Sequence, residues 1–138
     1  MNIVSEHRLR NDQAETCHIE TWVGEFACRA GLSDEVKNAF DLSLVEWTTN
    51  IISYAYDDER EHWITVRFLA GDREARVEVE DDGLEFNPLK QPPVDTSAPL
   101  ETRLIGGLGI HMMRQLMDAV AYRRAHGRNI LTLTKRWS

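Results

Sequence analysis

The sequence predicts an α+β domain in which one mainly antiparallel sheet is covered by helices on one face. Residues 63–69 and 74–81 alternate between apolar and polar side chains and flank a turn with Gly71-Asp72. Residues 119–126 and 129–136 form a second pair of this kind around Gly127-Arg128. Helical spacing of apolar residues is confined to separate stretches, which favours a two-layer α/β sandwich.

The first part of the chain predicts one strand and two helices. Residues 3–10 alternate weakly, as a first strand would, and residues 14–30 carry apolar residues at helical spacing up to Gly31. Ser33-Asp34 offers an N-cap for a second helix that runs to about Tyr56. The apolar stripe predicted for that second helix consists of Phe40, Leu44, Trp47 and Ile51.

A long irregular segment, residues 83–106, separates the first hairpin from a third helix predicted from Gly107 to about Met117. It holds all four prolines of the chain and shows no sustained period. Loops of this length inside a compact domain are uncommon and often serve as functional lids. With 138 residues, the chain is expected to be a single domain, 1–138, with a lid at 83–106.

Composition excludes several classes of function. The net charge of −7 and pI of about 5.2 argue against a nucleic-acid or membrane-surface binder, which would need a basic patch. No apolar run approaches the ~20 residues of a membrane span, and the N-terminus lacks the apolar core of a signal peptide. Cys17 and Cys28 lie about three helical turns apart, too far to bridge. We therefore expect a cytoplasmic protein with reduced thiols.

Glu46 and Asn50 lie one turn apart, at the edge of the apolar stripe of the second helix. A carboxylate there can accept a proton or orient a hydroxyl group, and an amide oxygen is a hard ligand suited to Mg²⁺. The alternative is that both are ordinary solvated residues of a helix face.

Asp81 ends the strand 74–81 and is followed by Asp82 and Gly83. A carboxylate held at a strand end can accept a hydrogen bond from an exocyclic amine such as that of adenine, and the glycine lets a flat base lie against the backbone. The alternative is a plain Asp-Gly turn at the end of an edge strand, with Asp82 an exposed neighbour.

Glycines open the third helix, in the stretch Gly106-Gly-Leu-Gly-Ile110. Backbone amides at a glycine-rich helix N-terminus suit a phosphate group. The pattern is neither a P-loop nor a Rossmann fingerprint. The alternative is a flexible end to the loop followed by a tightly packed helix start.

Three stretches in this order resemble the boxes of the GHKL (Bergerat-fold) ATPases, over about residues 5–136. They are Val45-Glu-Trp-Thr-Thr-Asn-Ile-Ile-Ser-Tyr-Ala-Tyr56, Asp81 to Pro88, and Gly107 to Asp118. Within that superfamily the chain resembles the small anti-sigma factor serine/threonine kinases of bacterial partner-switching systems. Glu85 stands where many members have glycine, and Ile105 where a basic residue is often found.

The resemblance implies a role for each matching residue. Asn50 would coordinate Mg²⁺ on the ATP phosphates, and Glu46 would be the general base. Asp81 would bind the adenine amine in a pocket shaped by Gly83. The second glycine box would meet the phosphates through Gly107, Leu108 and Gly109, with the glycines presenting backbone amides. Phosphoryl transfer needs mainly positioning and charge neutralisation, for which Arg103 is the candidate cation.

The function implied is a kinase that phosphorylates a serine of a STAS-domain anti-anti-sigma protein and binds a sigma factor or another regulatory target, as a homodimer. An exposed first strand with Ile3 and Val4 could pair across a two-fold axis. The alternative is a module that binds ATP and acts only by sequestration. A detached sensor histidine kinase domain is disfavoured, because the chain begins with its own Met, lacks a dimerisation-helix segment and has a short lid.

Overall fold

The computed structural model describes residues 3–90 and 107–138. Within these ranges the chain forms five strands and three α-helices. The strands are β1 (Ile3–Arg10), β2 (Trp63–Gly71), β3 (Glu74–Asp81), β4 (Ala119–Ala125) and β5 (Arg128–Arg136); the helices are α1 (Cys17–Ala30), α2 (Asp34–Tyr54) and α3 (Gly107–Leu116). Short 3₁₀ turns lie at Gln13–Thr16 and Pro88–Lys90.

All strand pairs are antiparallel, and the order across the sheet is β1-β2-β3-β5-β4. β3 is therefore the central strand, paired with β2 on one side and with β5 on the other. The β3–β5 register sets Asp81 opposite Asn129. The end of the central strand is thus enclosed on both sides, which excludes the edge-strand interpretation of Asp81.

The helices cover one face of the sheet and enclose a single apolar core. Phe26 of α1 packs against Phe68 of β2 with ring centroids 5.1 Å apart. All four stripe residues predicted for α2 are buried in that core: Phe40, Leu44, Trp47 and Ile51. The opposite face is polar, with Arg67 bridging Glu6 and Glu80 across three strands. The predicted α+β two-layer architecture is confirmed.

Local signals set most element boundaries as predicted. Gly31 ends α1 in the left-handed region with φ 68°, and the Ser33 hydroxyl accepts a hydrogen bond from the Val36 amide at 3.2 Å. α2 ends at Tyr54, two residues before the predicted end. The carbonyl of Ala55 accepts a hydrogen bond from the Leu84 amide at 2.8 Å, so the loop after β3 satisfies this end of the helix.

Two other boundaries differ from the prediction by a few residues. α1 begins only at Cys17, because the preceding residues 13–16 form a 3₁₀ turn. β2 continues through Gly71, since the left-handed residue of the hairpin turn is Arg73, with φ 60°. Cys17 and Cys28 are free and exposed. No helix in the described ranges is both long enough and apolar enough to cross a membrane.

Candidate active site

Asp81 is a buried carboxylate at the end of β3, with 1% of its surface exposed. Its Oδ1 accepts hydrogen bonds from the Gly83 amide and from Nδ2 of Asn129, both at 2.9 Å. No described residue donates to Oδ2. The side chain is therefore fixed by one oxygen, and the other is available to a ligand donor, which fits the exocyclic amine of adenine.

Burial raises the pKa of Asp81, and the hydrogen bonds from Asn129 and Gly83 oppose that rise. The neighbouring Asp82 carboxylate raises this pKa further, while Arg124 lowers it. A buried carboxylate with a perturbed pKa at the end of a central strand is typical of a functional site rather than of a plain turn.

Asn129 of β5 organises the segment that follows Asp81. Its Nδ2 also donates to the Leu84 carbonyl at 2.8 Å, and its Oδ1 accepts from the Phe86 amide at 3.4 Å and from the Tyr122 hydroxyl. Both polar atoms of its side chain are thus engaged, with Asp81, with the turn after β3 and with Tyr122 of β4. Sequence reasoning missed Asn129, because only the β3–β5 pairing brings it to Asp81.

Gly83 lies where the turn touches the end of α2. A Cβ atom at this position would lie 2.6 Å from the Cβ of Ala55 and 2.7 Å from its carbonyl oxygen. The Gly83 carbonyl accepts a hydrogen bond from Arg124 at 2.8 Å. Glycine is thus required here by the close approach of α2, a physical reason that the sequence did not reveal.

Glu46 and Asn50 are both partly buried on α2, on one face of the helix next to the buried Trp47. Trp47 stacks on Phe86 of the loop after β3, with ring centroids 5.9 Å apart. This contact ties the helix face of Glu46 and Asn50 to the segment that follows Asp81. Within the described residues neither side chain makes a hydrogen bond, so both remain available to a ligand, as the chemistry of a Mg²⁺-bound phosphate would need.

α3 begins at Gly107, as predicted, and packs against α2. Ile110, Met113 and Met117 anchor this region in the core. The positive end of the helix dipole therefore lies at Gly107–Gly109, which is suited to an anion. Arg103 and the part of the predicted lid from residue 91 to residue 106 lie outside the described residues.

A two-layer sandwich with a buried aspartate at the end of its central strand and a glycine-led helix beside it is typical of a nucleotide-binding domain of the histidine kinase type. Residues 9–135 match the histidine kinase-like ATPase domain, and the chain belongs to this family. The superfamily predicted from the sequence motifs is thereby confirmed.

Within this family, the chain is similar to two curated serine kinases. Over 98 residues the chain is 35% identical to the serine-protein kinase RsbW of Listeria monocytogenes, covering 68% of this chain and 62% of the relative. It is 30% identical over 115 residues to the serine/threonine-protein kinase BtrW of Bordetella bronchiseptica, covering 82% and 80% of the two chains. The similarity to RsbW thus spans less than two thirds of that relative's length.

Solved structures support the fold. The RsbU and RsbW domains of Rv1364c from Mycobacterium tuberculosis superpose with a TM-score of 0.70 at 18% identity, over 98% of this chain and 32% of that one. A blue-light activated histidine kinase domain from Erythrobacter litoralis gives 0.57 at 16% identity, over 88% and 60%. Both architectures match the two-layer sandwich described above.

Proposed function

We propose that the protein is an ATP-dependent serine/threonine kinase that phosphorylates a serine of a STAS-domain anti-anti-sigma partner. The observation that carries the proposal is the Asp81 carboxylate, buried and fixed through Oδ1 with Oδ2 available to a base amine. The similarity to curated serine kinases supports the reaction class.

In this proposal Asp81 and Gly83 hold the adenine, and the amides of Gly107, Leu108 and Gly109 face the phosphates. Asn50 holds Mg²⁺, which neutralises phosphate charge when bound. Glu46, on the same helix face, accepts the proton of the attacking serine hydroxyl. Arg103 supplies a further cation. The partly buried position of Glu46 and Asn50, without partners in the described part of the chain, is what supports their assignment.

We further propose a cytoplasmic homodimer that also binds a sigma factor or another regulatory target, with partner phosphorylation deciding which complex is more stable. β1 lies at the edge of the sheet, and Val4 on it is 58% exposed. An exposed edge strand with an apolar side chain can pair or pack across a two-fold axis. These two features support the dimer.

The competing function is a module that binds ATP and acts only by sequestering its partner. Glu46 distinguishes the two, because the general base is needed for transfer and not for holding the nucleotide. With each STAS-domain protein of the source genome, Mg²⁺ and γ-labelled ATP, we expect the wild type to label a serine. We expect Glu46→Gln to label it at least about a hundredfold more slowly while binding ATP normally.

Labelling by Glu46→Gln at the wild-type rate would remove Glu46 from the mechanism. ATP binding without labelling of any STAS-domain protein by the wild type would favour the sequestration module. Glu35→Gln is the matched control, since Glu35 is an exposed residue in the first turn of the same helix.

A further inference from the structure

An imidazole that lies outside the predicted boxes joins two carboxylates, one of which belongs to the box from Asp81 to Pro88. His62 lies between α2 and β2, and its Nε2 is 2.7 Å from Oδ1 of Asp58. Its Nδ1 is 3.1 Å from Oδ1 and 3.3 Å from Oδ2 of Asp82. Asp82 stands between Asp81 and Gly83, so the imidazole connects the segment after α2 to the turn that binds the base.

The imidazole is held in place by contacts that do not depend on its charge. Its ring stacks on Tyr56, with centroids 4.1 Å apart and planes at 13°. The His62 amide donates to the side-chain oxygen of Asn11 at 2.9 Å, and the Asn11 amide donates to the His62 carbonyl at 3.1 Å. The side chain is only 15% exposed. The ring therefore stays between the two carboxylates whatever its protonation state.

We propose that His62 is a positioning residue for the base-binding turn and makes nucleotide affinity fall as the solution becomes more alkaline. The proposal rests on the proposed function. A protonated imidazole donates through both nitrogens and holds both carboxylates, whereas a neutral one has a single N–H. One of the two bridges must then place an unprotonated ring nitrogen against a carboxylate oxygen, and that bridge is lost.

The bridge to Asp82 is the one expected to break. The contact with Asp58 is shorter, so the remaining proton stays on Nε2. The hydrogen bond to Asp58 raises the pKa of His62, and the bond and charge of Asp82 raise it further, against an opposing effect of burial. Among the described residues, the charged groups that face the ring are these two carboxylates. Tyr56, just after α2, faces it with a neutral phenol.

The sign of the effect follows from the raised pKa. The double bridge is complete below the ordinary histidine pKa of ~6.5 and is lost as the pH rises through the higher pKa of the folded state. The turn keeps its other supports, from Asn129, Arg124 and Ala55. We therefore expect a loss of about two- to fivefold in affinity, as for an ion pair whose carboxylate partner is solvent-exposed.

The first test needs no nucleotide. In a pH titration followed by NMR, the Gly83 amide of the nucleotide-free protein should shift with the same midpoint as the His62 ring protons. In the Asp58→Asn variant this coupled shift should disappear. The introduced amide can donate to Nε2, so the neutral ring keeps its N–H on Nδ1 and its bridge to Asp82. A Gly83 amide that does not respond while His62 titrates would overturn the proposal.

The second test is the affinity for Mg·ATP at about pH 6 and about pH 9 in four proteins. The wild type and the control His126→Asn, changed in the exposed β4–β5 turn, should both lose about two- to fivefold. Asp58→Asn should lose none of its affinity, and His62→Asn should be weakened at both pH values without a further loss. Protonation of ATP itself is the same for all four proteins, so each loss is taken relative to that of His62→Asn, which has no imidazole at this position.

The results of these two tests distinguish a failure of the His62 role from a failure of the proposed kinase function. Equal pH dependence in the wild type, Asp58→Asn and His62→Asn would overturn the role of His62 and leave the nucleotide site standing. A wild type that binds no ATP at either pH would refute the proposed function instead. The NMR titration then decides on the His62 bridge by itself.

Discussion

Replacing Asp81 by asparagine changes the chemistry of the base site while leaving its shape intact. In the wild type, Oδ1 accepts from the Gly83 amide and from Asn129, and no described residue donates to Oδ2. The carbonyl oxygen of the introduced amide can take over both bonds of Oδ1. Its NH₂ group then occupies the position of Oδ2, where it would meet the amine of adenine donor to donor.

The magnitude follows from the hydrogen bond that is lost. A bond to a charged acceptor contributes about 1.5–3 kcal/mol. At ~1.4 kcal/mol for each tenfold change, Asp81→Asn should weaken ATP binding by about ten- to 150-fold. Stability should respond in the opposite sense. Burial raises the pKa of Asp81 in the folded state. At pH values above the ordinary pKa of aspartate, ionisation of this buried group therefore lowers the free energy of unfolding. The neutral variant should be at least as stable as the wild type near neutral pH.

Calorimetric titration with Mg·ATP and thermal unfolding over a pH series measure both effects. The control is Asp72→Asn, at the exposed turn on the other end of the β2–β3 hairpin, which should change neither quantity. If Asp81→Asn bound ATP as tightly as the wild type, Oδ2 would not be the amine acceptor, and the assignment of the base site would be wrong. If the variant unfolded at neutral pH, the assumption that the amide preserves the Oδ1 bonds would fail.

Two further predictions concern the turn after β3. Gly83→Ala should destabilise the fold by about 1–3 kcal/mol, since its Cβ would lie 2.6 Å from Ala55. The control is Gly24→Ala in α1, where nothing lies within 4 Å of the added Cβ; this change should stabilise the fold by up to about 1 kcal/mol. Thermal unfolding measures both variants. Equal melting temperatures would contradict the packing argument. Asn129→Ala should cost about 1–3 kcal/mol of stability and also weaken ATP binding, because it frees Asp81, Leu84 and Phe86 together. Denaturant titration measures the stability and calorimetry the affinity for ATP. A fall in only one of the two would contradict this prediction.

The elements that the sequence predicted well are those defined by local signals. The N-cap at Ser33 and the left-handed residue Gly31 act within a few residues, so the ends of α1 and α2 near them could be read directly. The end of α2 at Tyr54 depends on a hydrogen bond between Ala55 and Leu84, which are remote in sequence. The spacing of apolar residues and the helix-capping residues in the sequence carry no information about such a contact.

In the candidate site, too, some residues can be recognised from local sequence signals and others only from contacts that are remote in sequence. Asp81 could be selected because its position at a strand end and its chemistry are visible in one short stretch. Asn129 could not, since it meets Asp81 only through the pairing of β3 with β5, and these strands are not consecutive. His62 is hidden for a similar reason, because its partner Asp82 lies 20 residues away on another segment. Hydrogen bonds between side chains of separate elements leave no periodic trace in a sequence.

The two halves of the candidate site differ in how far the fold fixes them before a ligand arrives. The turn that carries Asp81 is held by α2, β4, β5 and the segment of His62, through Ala55, Arg124, Asn129 and the imidazole itself. A turn held from four sides loses little conformational freedom on binding, so the contact with the base comes at a low entropic cost. Glu46 and Asn50 make no hydrogen bond within the described residues, so in the proposed site the ligand would supply the polar contacts that fix them. In the proposed site, recognition of the base would therefore be largely preformed, whereas alignment of the phosphates would be completed by the nucleotide, which is why we expect Glu46→Gln to retain ATP binding.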